Sequence, residues 1–184
     1  NNVYTTGSFQ HIVDFDPGPG VFNLISPGWA TYILKQNSTG GLIWAIQFEG
    51  NTFSSMSRAE TIALDNNGNI IVAGFFSGRV DFDPGPGIMY IESITTADLF
   101  IAKINPLGQL IWVKQIPGWP YPQRYKVTAT TDPGGHIYLT GTFTGTADFD
   151  PGPSVNQLHS TGWDIYVLKL TTAGDFAWVK QISD

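Results

Sequence analysis

The chain has 184 residues, a net charge of −6 and a pI near 4.8, with no basic stripe, which argues against a nucleic-acid partner. Cysteine is absent, so neither a disulfide framework nor a cysteine-ligated zinc site is available. No apolar run approaches the ~20 residues of a membrane-spanning helix, and 21 Gly and 12 Pro with only 13% charged residues favour an all-β chain rich in turns.

The first predicted strands are Val3–Phe9, Thr31–Gln36 and Leu42–Phe48. Between the first two lies Asp14-Phe15-Asp16-Pro17-Gly18-Pro19. The same six residues return at Asp81–Pro86 and Asp148–Pro153, so the motif starts at positions 14, 81 and 148, a constant spacing of 67 residues. An identity of this length at a fixed period defines an internal repeat.

The second copy predicts four strands, Glu60–Leu64, Ile70–Phe76, Leu99–Ile104 and Gln109–Ile116, named A to D by position in the repeat. Asp65-Asn66-Asn67-Gly68-Asn69 joins A to B, and Asn105-Pro106-Leu107-Gly108 joins C to D. Both are strong hairpin signals. The third copy repeats the pattern at Lys126–Thr130, Ile137–Phe143, Ile165–Leu170 and Phe176–Ile182. The first copy has B, C and D only.

Fixed residues mark each strand. B carries Gly7, Gly74 and Gly141, which fit a point where a neighbouring chain comes close. C carries Lys35, Lys103 and Lys169. D carries Trp44, Trp112 and Trp178, expected in the core, followed by Gln47, Gln115 and Gln181. D also reads apolar on both faces, as in Leu110-Ile111-Trp112-Val113, so it is expected to need cover above and below.

Short hairpin-linked strands in groups of four, buried on both sides, predict blades of a β-propeller. The expected blades are 1–50, 51–118 and 119–184, with the innermost strand of the first missing. Propellers typically close with four to eight blades, so this chain is not expected to form a ring by itself. Further blades, from a longer chain or from other copies, are therefore the expected partners. Strand or blade complementation between copies would build a self-assembling filament or layer. The 67-residue period exceeds that of common propeller repeats, and the excess is expected in the B–C connection, which carries the six-residue motif and some ten residues beyond it.

Gly68-Asn69-Ile70-Ile71-Val72-Ala73-Gly74, Asp81-Phe82-Asp83-Pro84, Asp98-Leu99-Phe100-Ile101-Ala102-Lys103-Ile104, Gly108 and Trp112 together resemble the bacterial SBBP β-propeller repeat. The third copy matches through Ile137–Gly141 and Asp164–Leu170. The first departs by placing Ala30 where Asp98 and Asp164 stand. The resemblance spans essentially the whole chain. It implies blades on secreted or cell-surface bacterial proteins and implies no ligand or reaction. No charged-then-apolar leader opens the sequence, so a secreted protein of this kind would carry one outside these residues.

Three groups are candidate sites. In Asp-Phe-Asp-Pro-Gly-Pro, Phe15, Phe82 and Phe149 are expected to pin the connection to the blade, and Asp-Pro-Gly is turn chemistry. The alternative is a Ca²⁺ site at Asp14, Asp16, Asp81, Asp83, Asp148 and Asp150, helped by Asp98 or Asp164, because hard cations take clustered carboxylates. The strand-C lysines need a carboxylate, and the motif aspartates are the expected partners.

Trp29, Trp119, Tyr121 and Trp163, with Phe53, fall in the B–C and D–A connections, which share one end of a meander. That aromatic face is a candidate platform for a glycan or a protein ligand, against the alternative that it covers seams between blades. The histidines, His11, His136 and His159, occupy unrelated positions in the repeats, and no nucleophile elbow or phosphate loop is present. The expectation is a non-catalytic extracellular module that requires no cofactor.

Overall fold

A computed structural model describes residues 2–50, 52–118 and 126–183. Its elements are thirteen strands among the described residues. In the first repeat these are β1 (Val3–Asp14), β2 (Asn23–Gln36) and β3 (Leu42–Gly50). The second has β4 (Met56–Leu64), β5 (Ile70–Ser77), β6 (Arg79–Asp81), β7 (Tyr90–Glu92), β8 (Asp98–Ile104) and β9 (Leu110–Pro117). The third has β10 (Val127–Thr131), β11 (Ile137–Asp148), β12 (Gln157–Leu170) and β13 (Phe176–Ile182).

Three antiparallel sheets result: β1-β2-β3-β6-β7, β4-β5-β8-β9 and β10-β11-β12-β13. Each holds a meander in chain order, as four-stranded propeller blades do. The sheets stack through two apolar seams. One joins Ile33 and Phe48 of the first blade to Ile70, Val72, Phe82 and Phe100 of the second. The other joins Ile71, Leu99 and Ile116 of the second to Ile137, Phe149 and Tyr166 of the third. Each blade therefore has a trailing face that receives the next blade and a leading face that docks on the previous one. In the middle blade β8 is buried along its whole length, and β5 is buried except at Ser77.

The B–C connection is a continuation of the hairpin, with the six-residue motif at its tip. In the first repeat β1 and β2 stay paired from Phe9↔Ala30 through Asp14↔Asn23, across a bulge between Phe9 and His11. In the second repeat the extension breaks off as β6 and β7, and β6 crosses the seam to pair with β3 of the previous blade, Glu49↔Asp81 and Gly50↔Val80. In the second repeat the motif hairpin is thus a strap from one blade to the outer strand of its predecessor. As expected, the D–A connection lies at this same end: the carbonyls of Phe53 and Ser55 lie against Gly28 of the first B–C extension.

The kink in each hairpin falls at one repeat position, where His11, Gly78 and Gly145 all have positive φ, 63°, 69° and 71°. The strand-B glycines are close-approach points, as expected. A β-carbon at Gly74 would lie 2.0 Å from the Arg58 carbonyl oxygen, and one at Gly141 would lie 2.2 Å from that of Lys126.

Strand D is not covered on both sides. Ile43 and Ile111 are 44% and 48% exposed, because D is the outermost strand and one of its faces turns to water. Trp178 is 36% exposed and is not a core residue, whereas Trp44 and Trp112 are only partly buried.

Candidate functional site

The motif hairpin builds the same local structure three times. The first aspartate turns Oδ1 back onto the hairpin and accepts two backbone amides. Asp14 accepts from Asp16 at 3.0 Å and Phe22 at 2.9 Å. Asp81 accepts from Asp83 and Met89 at 3.0 and 2.8 Å, and Asp148 from Asp150 and Asn156 at 3.1 and 2.8 Å. The second aspartate accepts from the glycine two residues on, at 2.8, 2.8 and 2.7 Å for Asp16, Asp83 and Asp150. These are Asx turns, which fix a tight tip without strand hydrogen bonds. The amides from Phe22 and Asp16 hold the Asp14 carboxyl below its ordinary value.

The phenylalanine between the aspartates points the other way, as expected. Phe82 is fully buried, with ring centroids 5.1 Å from Phe48, 5.2 Å from Phe76 and 5.2 Å from Phe100. Phe48 belongs to the preceding blade, so this ring bridges the seam. Phe149 repeats the packing against Phe143 and Tyr166 at 5.3 and 4.8 Å. Phe15 meets Phe9 and Tyr32 at 5.3 and 5.0 Å, but is only half-buried.

The strand-C lysines do not reach the motif aspartates. They lean toward the opposite end of the blade. Lys103 Nζ lies 3.0 Å from Oδ2 of Asp65, the first residue of the A–B turn, and Lys169 Nζ lies 3.8 Å from Oδ2 of the equivalent Asp132. Lys35 instead donates to the Pro106 carbonyl at 2.8 Å and sits 5.4 and 5.7 Å from the centroids of the Tyr4 and Trp44 rings. Burial raises the Asp65 carboxyl, but hydrogen bonds from Asn69, Lys103 and the Asn67 amide outweigh it and hold the group low. Asp65 and Asp132 are 67 residues apart in the sequence, the motif's own period, and that signal identifies them.

The repeated glutamines secure the start of strand C, a role the sequence alone did not reveal. Gln115 donates to Asp98 at 2.6 Å and to the Glu92 carbonyl at 3.0 Å. Gln181 donates to Asp164 and to the His159 carbonyl. Asp98 also accepts the amides of Ile94 and Thr95. In the first blade, where Ala30 replaces this aspartate, Gln47 donates to Glu49 and to the Ile25 carbonyl.

The fit of the motif to Ca²⁺ is poor. Both aspartates of each pair accept backbone amides at Oδ1, and Asp98 and Asp164 accept from glutamine. Among the described residues no three His, Asp or Glu side chains gather closely enough to hold an ion. Glu49, Asp81 and Asp83 do line a cleft of about 160 Å³, and burial together with the Asp81 charge raises the Glu49 carboxyl. The corresponding cleft at the next seam carries Lys114 and Gln115 beside Asp148 and Asp150, so the acidic character does not repeat with the motif.

Of the aromatic face, Trp29 and Trp163 are 46% and 51% exposed and Phe53 is 82% exposed. Trp119 and Tyr121 lie outside the described residues. Trp29 borders a cleft of about 450 Å³ with Ser8, Met56 and Arg58.

No family model matches the chain. It is 28% identical over 152 residues to an uncharacterised WD repeat-containing protein of Acanthamoeba polyphaga mimivirus, a match covering 77% of this chain and 11% of the relative's length. The chain thus spans about a tenth of that relative. A crystal structure of a protein of unknown function from Bacteroides caccae aligns over 83% of this chain and 69% of its own, with a TM-score of 0.28 and 12% identity. The WD-repeat relative agrees with the three stacked sheets: the chain is a propeller-like repeat module.

Proposed function

We propose that the chain is a non-catalytic structural and interaction module that presents a rigid stack of SBBP-like blades, on a secreted or surface-exposed protein, to further blades. One observation carries this reading. The side chains that recur at the repeat period are engaged in holding turns and seams: the motif aspartates in hairpin tips, the phenylalanines in the seams, Lys103 and Lys169 at the A–B turns, and Gln115 and Gln181 at the start of strand C. Side chains committed to turns and seams support a scaffold role over chemistry on a substrate. The test is an assay of the purified chain against peptide, glycoside and phosphoester panels, beside the Asp81→Asn, Asp83→Asn double variant. No turnover above that variant is expected. Turnover that disappears in the variant would overturn the reading.

A second reading is favoured by Trp29, whose exposed indole borders a cleft containing Arg58, the arrangement of a glycan-stacking platform. Trp163 is exposed at the same repeat position. A glycan array with the parent and Trp29→Ala chains decides it. Binding that Trp29→Ala loses supports a lectin-like role, and no binding by the parent removes it.

A further inference from the structure

The aligned copies also show where the repeat is broken, and one break opens a cleft inside a complete seam. At the strand-B position held by Phe75 in the second repeat, the first repeat has Ser8. Phe75 is 1% exposed and packs in the seam between the second and third blades. At the strand-C position held by Ala97, which is fully buried, the first repeat has Trp29. A small residue thus stands in for a large one within the seam, and a large one for a small one at its mouth. The result is the cleft of about 450 Å³ to which the first blade contributes Ser8 and Trp29, and β4 of the second contributes Met56 and Arg58. Its volume lies in the range of small-molecule sites, ~300–1,000 Å³.

Backbone contacts hold both walls. A β-carbon at Gly28 would lie 2.8 Å from the Ser55 carbonyl oxygen, so the residue before Trp29 is seated against the chain entering β4. Ser57, between Met56 and Arg58, bridges the blades. Its Oγ accepts the Thr31 amide at 2.8 Å and donates to the Phe48 carbonyl at 2.7 Å. The half-exposed indole of Trp29 therefore stands on a fixed strand. Arg58 is held from one side. Its Nε lies 3.0 Å from Glu60 Oε1, and Lys126 Nζ lies 2.9 Å from Glu60 Oε2. Two cations share one carboxylate, so this group is net positive on a chain whose net charge is −6. Among the described residues the terminal nitrogens of Arg58 meet no acceptor, and its side chain is 43% exposed.

We infer that this cleft binds an acidic sugar, with the apolar face of a pyranose ring stacked on Trp29 and the sugar carboxylate paired with the terminal nitrogens of Arg58. This rests on the glycan reading above and names the class of glycan. A neutral sugar uses the indole but gives the guanidinium nothing to pair with, whereas a carboxylate matches its parallel N–H donors. One open indole wall suits the flat face of a ring. The Ser8 hydroxyl both donates and accepts, as contacts to sugar hydroxyls require.

The test is a glycan array that pairs hexuronate oligomers and sialylated glycans with their methyl esters, probed with the 184-residue chain. The parent is expected to bind at least one acidic glycan and to lose at least about tenfold in affinity for its ester, the worth of a charge-assisted hydrogen bond. Trp29→Ala and Arg58→Gln are each expected to weaken that binding by a similar factor. Ser8→Phe, which gives the first seam the side chain that Phe75 supplies in the second, is expected to abolish it with Trp29 and Arg58 intact. Circular dichroism and melting midpoints check that each variant keeps its fold. Equal binding of acid and ester, or binding of neutral glycans alone, overturns the inference and leaves the glycan reading standing. Binding of poly-glutamate as tight as that of the acidic glycan also overturns it, because charge alone would then be read. A parent that binds no glycan on the array removes the glycan reading and the inference with it.

Discussion

Lys103 and Asp65 form the most enclosed ion pair of the described chain, Nζ to Oδ2 at 3.0 Å, with 8% and 2% of their side chains exposed. The pair ties the middle of one strand to the turn between two others, and Lys103 also reaches the Thr172 carbonyl of the next blade. Removing one member leaves the other charged and out of water. Asp65→Ala is expected to destabilise by about 3–5 kcal/mol. Lys126 also pairs, with Glu60 at 2.9 Å, but is 68% exposed, so Lys126→Ala is expected to cost at most about 1 kcal/mol. Urea unfolding of both variants checks the contrast, and equal losses would remove the special role of the buried pair.

The same carboxylate sets an acid limit. Asp65 titrates below its ordinary 3.8 when folded, so between the two values the unfolded chain binds more protons and stability rises with pH. Its contribution is complete above about pH 4 and is lost as the pH falls through the lower folded value. Melting temperatures measured from pH 5 downward should fall more steeply below pH 4 for the parent than for Asp65→Ala. Parallel curves would show that Asp65 is not the titrating group.

Phe82 and Phe15 occupy one position of the motif but differ in cover. Phe82 is wedged between two blades and is fully buried, whereas Phe15 has no preceding blade among the described residues. Phe82→Ala is expected to cost about 3–5 kcal/mol through the cavity it leaves, and Phe15→Ala less. Chemical denaturation of the two variants measures the difference, which is the energetic share of the seam.

The aspartates of the tip separate a turn from a cation site. Asn keeps an oxygen that can accept the amides of Asp83 and Met89 but removes the charge a hard cation requires. Asp81→Asn is expected to change stability by less than about 0.5 kcal/mol, and Asp81→Ala to cost about 0.5–1.5 kcal/mol, as for lost hydrogen bonds to one half-buried and one exposed amide. A chelator should leave the melting midpoint of the parent unchanged. A midpoint that drops with chelator and in Asp81→Asn would restore the Ca²⁺ reading.

The strands were legible because three aligned copies show which apolar runs and which Asn-Gly or Pro-Gly turns recur. The strap was not legible. Its strands β6 and β7 are three residues each, too short for any periodicity, and β6 finds its partner in another blade. The lysine partner was missed for a related reason. Position along strand C does not reveal toward which end a long side chain leans, and Asp65 is distant in sequence. Trp178 marks a further limit. A residue that repeats has a repeated environment only where its neighbour repeats as well, and the turn that buries Trp44 and Trp112 has no counterpart over Trp178 among the described residues.

His11 stands where the other two copies place glycine. At φ 63° its backbone is in the left-handed region that Gly78 and Gly145 adopt at 69° and 71°. An L side chain there costs roughly 1–2 kcal/mol from the clash of Cβ with the backbone. Glycine returns part of that, about 0.4–1 kcal/mol, through the greater freedom of the unfolded chain. The His11 side chain is exposed and therefore contributes little burial to offset the strain. His11→Gly is expected to stabilise by about 0.5–1 kcal/mol, a rise in melting temperature of roughly 1–4 °C for a chain of this size. Gly145→Ala, the opposite change at the equivalent kink, should destabilise by about 0.5–1 kcal/mol on the same balance. Differential scanning calorimetry of the two variants reads both signs. A His11→Gly chain that melts below the parent would mean that the imidazole makes a compensating contact at the kink of the first hairpin.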